Sequence, residues 1–180
     1  EFDLKSAVMA GIQDHIDYLS SNSESFSLPV IKKWAKMMTH PKNKKGWQVV
    51  FKKRAGLYVT LRSVYEGITL DNTEGAGLRD LYADFLTEAN AIIDADLNEA
   101  IQAYRMCAKK WRDFANTALS DDVPAFAQAK QLMQARYANF AKQNVEGLSQ
   151  NIQEMSMLEQ QYNLDGFPLD DEGTTALFEA

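Results

Sequence analysis

The sequence is poor in the residues that make covalent cross-links and metal sites. Its 180 residues include a single cysteine and two histidines. One cysteine excludes an internal disulfide, and neither His15 nor His40 has a Cys, His or Glu three or four residues away, as a helical metal site requires. Cys107 has no histidine nearby in the sequence to activate its thiol. We therefore expect no metal ion, no cofactor and no catalytic residue in this chain.

Long apolar runs are also missing. No segment approaches the ~18 consecutive apolar residues of a membrane span, and no charged-then-apolar leader opens the chain. Together with the single cysteine, which fits a reducing compartment, this predicts a soluble cytoplasmic protein with no membrane partner. The chain begins with Glu1-Phe2 and not with methionine, so we interpret it as a piece of a longer protein.

Strand patterns are scarce as well, because no segment alternates apolar and polar residues for long. Helical spacing, by contrast, runs through nearly the whole chain. Its clearest stripe consists of Leu78, Leu81, Tyr82, Phe85, Leu86, Ala89, Ile92 and Ile93. We predict an all-α, single-domain helical bundle of about six to eight helices over residues 1–162, with no significant sheet. Leu81, Phe85 and Trp111 are predicted core residues.

Capping residues and helix breakers predict where individual helices begin and end. Asp3 is expected to cap the first helix. Ser27, which is followed by a proline in the first turn, is expected to cap the second. Asp121 or Asp122 is expected to cap the helix that begins near residue 124. Gly147 predicts either a kink in one long helix or a break between two helices.

Acidic residues are missing from one long stretch. Residues 25–65 contain ten bases and no acid, although the net charge of the chain is −6. Residues 163–180 have the opposite character, with five acids and no base, and form a predicted acidic C-terminal tail. Basic segments of this kind attract acidic partners. The predicted basic docking face comprises Lys32, Lys33, Lys36, Lys42, Lys44, Lys45, Lys52, Lys53 and Arg54.

So many bases without an acid repel one another unless a counter-charge comes from elsewhere. We expect the acidic tail to fold back on the basic segment, because a tethered partner has a high effective concentration. The alternative source is an external acidic carrier protein or a phosphate-bearing group. The segment has no motif that reads bases, so no nucleic-acid partner is expected.

Two neighbouring segments, TLRSVYEGI and GAGLRDLYADFLTEA, resemble the C-terminal helical domain of the butirosin biosynthesis protein H-like (BtrH-type) acyltransferases. The resemblance covers most of residues 3–120 and is best at Arg62, Gly75, Gly77, Leu78, Arg79, Tyr82, Phe85, Glu88 and Trp111. It implies a helical accessory domain, itself of unknown function, that follows a papain-like catalytic domain upstream of residue 1. The whole protein would move an acyl group from a carrier-protein thioester to an amine in secondary-metabolite biosynthesis, through a Cys and a His located upstream.

The resemblance directs attention to polar side chains on the central helices. They form a predicted substrate cleft that comprises Arg62, Tyr65, Glu66, Arg79, Tyr82 and Asp84. The simpler alternative is an ion pair between Arg62 and Glu66, four residues apart on one helix. Gly75, Gly77 and Arg79 are candidates for binding an anion at a helix N-terminus, although glycines there more often serve a turn. The competing interpretation of the whole chain is a non-enzymatic interaction module or a homodimer.

Overall fold

The computed structural model describes residues 3–22, 27–40, 42–70, 75–163 and 166–179, and all regular structure in these ranges is helical. The helices are α1 (Leu4–Ser20), α2 (Leu28–Thr39), α3 (Trp47–Val50), α4 (Leu57–Thr69), α5 (Arg79–Ile93), α6 (Asn98–Ala118), α7 (Pro124–Ala141), α8 (Val145–Asn163) and α9 (Asp171–Glu179). No strand occurs in the described ranges, so the predicted all-α fold is confirmed.

Helix starts follow the sequence in part. Asp3 caps α1, because its carboxylate accepts a hydrogen bond of 3.1 Å from the Ser6 N–H. Ser27 is the N-cap residue of α2, as predicted. The predicted cap of α7 by Asp121 or Asp122 is wrong, since Val123 occupies that position. Proline supplies the first residue of α7, where its fixed φ begins the helix without a side-chain cap.

The break near Gly147 separates two helices. The chain turns between Ala141 and Val145, and Gln143 adopts a φ of 55°. Asn144 then accepts a hydrogen bond of 3.2 Å from the Gly147 N–H, which satisfies a donor in the first turn of α8. The alternative of two helices is therefore the one that the structure adopts.

Contacts group the chain into two compact units, each of which is described separately. The first comprises Glu1–Val50 and Arg79–Met106. Within it α1 packs against α2 and α5, and α2 packs against α3. Its buried apolar side chains are few and mostly small, namely Val8, Ala83, Leu86, Ala89 and Ile101.

The second unit comprises Phe51–Leu78 and Cys107–Ala180. Within it α7 packs along α8, and α4 packs against both. Tyr58 and Phe126 are the largest fully buried side chains, and their ring centroids are 6.3 Å apart. They lie in a core that also contains Leu57, Leu61, Leu119, Ala129, Met133, Met155 and Leu158. The boundary between bundle and tail at residue 162 stays a prediction.

The apolar stripe of α5 is only partly buried. Ala83, Leu86 and Ala89 are buried, whereas Leu81 is 46% exposed, so its prediction as a core residue is wrong. The reason is angular: at about 3.6 residues per turn, Leu81 lies nearly opposite Ala83. Phe85 and Trp111 are half-buried.

Candidate functional site

The first unit brings a histidine against two tyrosines. His15 of α1 stacks on Tyr82 of α5 with ring centroids 4.1 Å apart. Its Nε2 lies 3.0 Å from the hydroxyl oxygen of Tyr104 on α6. The rings of the two tyrosines are 4.6 Å apart. We call these three residues the His15 cluster; only Tyr82 belongs to the predicted site residues.

The surroundings of His15 and Tyr82 favour the uncharged form of each side chain. Burial lowers the pKa of the His15 imidazole, and the positive charge of Arg79 lowers it further. Burial raises the pKa of Tyr82, and the neighbouring Tyr104 raises it further. A neutral imidazole and a tyrosine hydroxyl at hydrogen-bond distance can pass a proton to or from a bound group. The cluster therefore offers hydrogen bonds and a proton relay, without a fixed charge.

Arg105 of α6 holds two carboxylates of α5 in the same unit. Its Nη1 lies 3.1 Å from the Asp80 carboxylate, and its Nη2 donates to Asp84. Hydrogen bonds to Asp84, and then to Asp80, raise the pKa of the guanidinium. The predicted site residue Asp84 is thus engaged in an ion pair, which joins α5 to α6.

The predicted site residues of α4 lie in the second unit and take partners on other helices. Arg62 Nη2 lies 3.4 Å from Glu159 of α8, and Glu66 accepts from Arg136 of α7. The alternative of a pair between Arg62 and Glu66 on one helix is therefore not what the structure shows. Arg62 and Glu66 are mostly buried against α8 and α7, and each finds its partner there.

Tyr65, the third predicted residue of α4, faces a buried cation. Lys130 Nζ lies 4.9 Å from the centroid of the Tyr65 ring. Lys130 is only 5% exposed, and its Nζ lies 3.1 Å from both Asn116 and Asp121. A buried ammonium requires such compensation, so this group of side chains stabilises the packing of the unit. Neither the buried position of Lys130 nor its partners were predicted from the sequence.

A second buried polar group was not predicted from the sequence. Tyr58 is fully buried beside Tyr162, and its hydroxyl and the Arg62 Nε have no hydrogen-bond partner among the described residues. Burial raises the pKa of Tyr58 to about 12. The only signal in the sequence is that Tyr58 occupies an apolar position of α4, next to Leu57.

The predicted cleft residues thus fall into two sets. Arg62, Tyr65 and Glu66 lie on α4 of the second unit, and the others lie on α5 of the first, namely Arg79, Tyr82 and Asp84. Each set has the partners described above. Their assembly into one cleft stays a prediction.

The glycines proposed for anion binding form a turn. Gly75 and Gly77 have φ values of 81° and 56°, a conformation that favours glycine. The Gly77 N–H donates a hydrogen bond of 3.0 Å to the Ile68 carbonyl and so closes the turn onto the end of α4. This geometry accounts for both glycines, and an anion beside them and Arg79 stays a prediction.

The lysines of the predicted basic docking face are all exposed. Within the described ranges none of these eight lysines forms an ion pair. Arg54 differs, because it pairs with Asp171 of α9. The ion pair of Arg54 is therefore a contact between the basic segment and the acidic tail, as predicted. The eight lysines have no such ion pair within the described ranges.

No group of three or more metal-ligating side chains occurs among the residues that the structure describes. Cys107 is a half-buried free thiol on α6. Over the same residues, no helix is both long and apolar enough to cross a membrane.

Comparison with known proteins gives a family without an assigned activity. No curated protein and no solved structure matches the chain significantly. A family described as "Domain of unknown function (DUF4872)" matches residues 1–164, which is most of the chain. On the strength of that match, the chain belongs to the DUF4872 family, a domain of unknown function.

Proposed function

We propose that this chain is the helical accessory domain of an acyltransferase, and that it docks an acidic carrier protein that bears the acyl group as a thioester. The acyl group would pass to an amine through a Cys and a His in a domain upstream of residue 1. The resemblance of residues 3–120 to BtrH-type acyltransferases supports this reaction.

The observation that carries the docking proposal is uncompensated positive charge. Six exposed lysines of the first unit, between residues 32 and 45, have no ion-pair partner within the described part of the chain. Like charges gathered on one surface gain electrostatic free energy when a surface of opposite charge covers them. An acidic protein is therefore the partner that this surface fits.

The surface also offers apolar contact area. These six lysines flank or belong to α2 and α3, and neither helix has a buried residue. Trp34 and Trp47 pack edge to face, 6.3 Å apart, while Val49 and Val50 stay exposed. A partner that covers this region would bury apolar area as well as charge, which is the usual composition of a protein interface.

A contribution to substrate binding would come from the His15 cluster. Among the predicted site residues, Tyr82 is the one that lies in a half-buried group without a fixed charge. Its neighbours can exchange a proton with a bound amine.

The docking proposal is tested by charge reversal. The variant Lys44→Glu/Lys45→Glu should lower the affinity for a purified acidic acyl carrier protein about tenfold or more at low salt, as measured by calorimetry. The matched control is Lys5→Glu/Lys110→Glu, which changes the net charge equally at exposed positions outside the basic segment.

Added salt should weaken the wild-type complex and narrow the difference between the two variants, because it screens the contact. Equal affinities for both charge-reversed variants would refute docking at this surface.

A second candidate function is a non-enzymatic interaction module or homodimer, and exposed apolar side chains favour it. Phe140, Val145 and Ile152 near the α7–α8 turn are 71%, 73% and 52% exposed. Exposed apolar groups that form one contiguous patch mark interaction sites. Sedimentation equilibrium of the wild type and of Phe140→Asp/Val145→Asp tests it, since a dimer through this turn should dissociate in the variant.

A further inference from the structure

The C-terminal helix α9 lies on the second unit through a mixture of charge and apolar contact. Asp171 in its first turn pairs with Arg54. Thr174, one turn later, is buried, and Leu177 is half-buried on the same face. Just before α9, the Phe167 ring lies 6.0 Å from the buried ring of Phe126. The face of α9 that meets the unit therefore combines the buried Thr174 and the half-buried Leu177 with the ion pair of Asp171.

This contact is incompletely packed. An open depression of about 430 Å³ remains between α9 and the end of α6, lined by Asn116, Thr117, Ser120, Leu169, Gly173, Ala176 and Leu177. Asp171 is fully exposed although it forms an ion pair, and exposed ion pairs contribute little. A helix that buries one residue and leaves such a gap is held weakly, and its tether to the chain supplies much of its occupancy.

The segment that supplies Arg54 is basic. Lys52 and Lys53 precede Arg54, are exposed, and have no partner within the described ranges. The family match ends at residue 164, so α9 lies outside the matched segment while the surface beneath it lies inside. Because the surface already accommodates α9, whose first turn is acidic, it has the shape and one charged contact to accept an acidic helix from another protein.

We propose that the surface formed by Arg54, Phe126 and the end of α6 is a docking site for a short acidic amphipathic helix of a partner protein, and that α9 occupies it as an internal competitor. The inference shares with the proposed function only the idea of an acidic partner. The partner would present an acidic amphipathic helix, and α9 would regulate its binding by competing for the same surface.

The probe is a fluorescent peptide of residues 166–180, added to the full-length chain and followed by anisotropy. A tethered helix has an effective concentration on the order of 1 mM, so a peptide Kd near ~0.1 mM would be raised about tenfold by self-occupancy. Thr174→Lys places a charge on the buried face of α9 and should displace it. The peptide should then bind Thr174→Lys about tenfold more tightly than the wild type.

Two controls separate docking from general charge effects. Thr175→Lys adds the same charge on the exposed face of α9 and should leave the peptide affinity within about twofold of the wild type. In the Thr174→Lys background, Arg54→Glu should weaken peptide binding severalfold, whereas Lys110→Glu should leave it unchanged. If Thr174→Lys loses more helicity than unfolding of α9 alone would cause, Asp171→Asn is used as the displaced variant. The peptide should then bind Asp171→Asn twofold to fivefold more tightly than the wild type.

Equal peptide affinity in the wild type and the displaced variant would overturn the proposal, as would binding that ignores Arg54→Glu. Because the probe is the chain's own helix and not a carrier protein, these outcomes do not depend on whether the proposed acyl-transfer partner is correct. Loss of carrier binding in Lys44→Glu/Lys45→Glu, with unchanged peptide binding, would support two separate docking surfaces.

Discussion

The buried hydroxyl of Tyr58 makes replacement of this residue by phenylalanine a direct test of the second unit. Its side chain is fully buried, and the hydroxyl has no partner among the described residues. Burial of an unpaired hydroxyl costs ~1–3 kcal/mol in mutational data. Phenylalanine keeps the ring contacts with Phe126 and Tyr162 and removes that cost. We expect Tyr58→Phe to raise the free energy of unfolding by about 1 kcal/mol.

Alkaline pH provides a second measurement on the same variant. Burial raises the pKa of Tyr58 from 10.0 to about 12. A group whose pKa is raised on folding contributes stability below its unfolded pKa, and that contribution is lost as the pH rises through its folded pKa. The loss should therefore fall between pH 10.0 and about 12. A two-unit shift corresponds to at most ~3 kcal/mol, so the wild type should lose more stability across this window than the variant.

Both quantities can be measured by urea unfolding followed by circular dichroism. Tyr104→Phe is the matched control, because its hydroxyl lies 3.0 Å from His15 Nε2. Removal of that hydrogen bond should cost ~1 kcal/mol. A Tyr58→Phe variant less stable than the wild type by more than ~1 kcal/mol would refute the reasoning, since it would mean that the hydroxyl is hydrogen-bonded.

Two further predictions concern the rest of the fold. Because the pKa of His15 is lowered from 6.5, the stability that depends on its neutral form should be lost as the pH falls below 6.5. Urea unfolding at pH 7 and pH 5 measures this loss, which should be smaller in His15→Gln than in the wild type. The control is His40→Gln, because His40 is exposed. Phe126→Ala should cost ~3–5 kcal/mol, whereas Leu81→Ala should cost less than ~1 kcal/mol; similar thermal shifts for the two variants would contradict the burial that the structure assigns them.

Local chemistry explains where prediction from the sequence succeeds. The all-α class follows from helical spacing over most of the chain, and the cap of Asp3 on the Ser6 N–H needs only residues within one turn. Even the contact between tail and basic segment was predictable in kind, because opposite charges in one chain attract. The sequence could not predict which base forms this contact, since eight lysines were equivalent candidates beside Arg54.

Errors arise where two segments that are distant in sequence compete for one residue. Leu81 belongs to a continuous apolar stripe, yet α5 buries Ala83 and Ala89 and leaves Leu81 exposed, while α1 packs against this helix. Arg62 and Glu66 have the right spacing for a pair on one helix, but Arg136 and Glu159 lie closer to them on neighbouring helices.

The sequence by itself determined that the chain is helical, that its charge is divided between a basic segment and an acidic tail, and that it carries no recognised catalytic motif. These properties depend on residues within a few positions of one another. Only the tertiary structure placed His15 against Tyr82 and Tyr104, since those contacts join three helices. The tertiary structure alone also left the Tyr58 hydroxyl buried with no partner among the described residues, because burial depends on which helices cover a residue and not on its own neighbours in the chain.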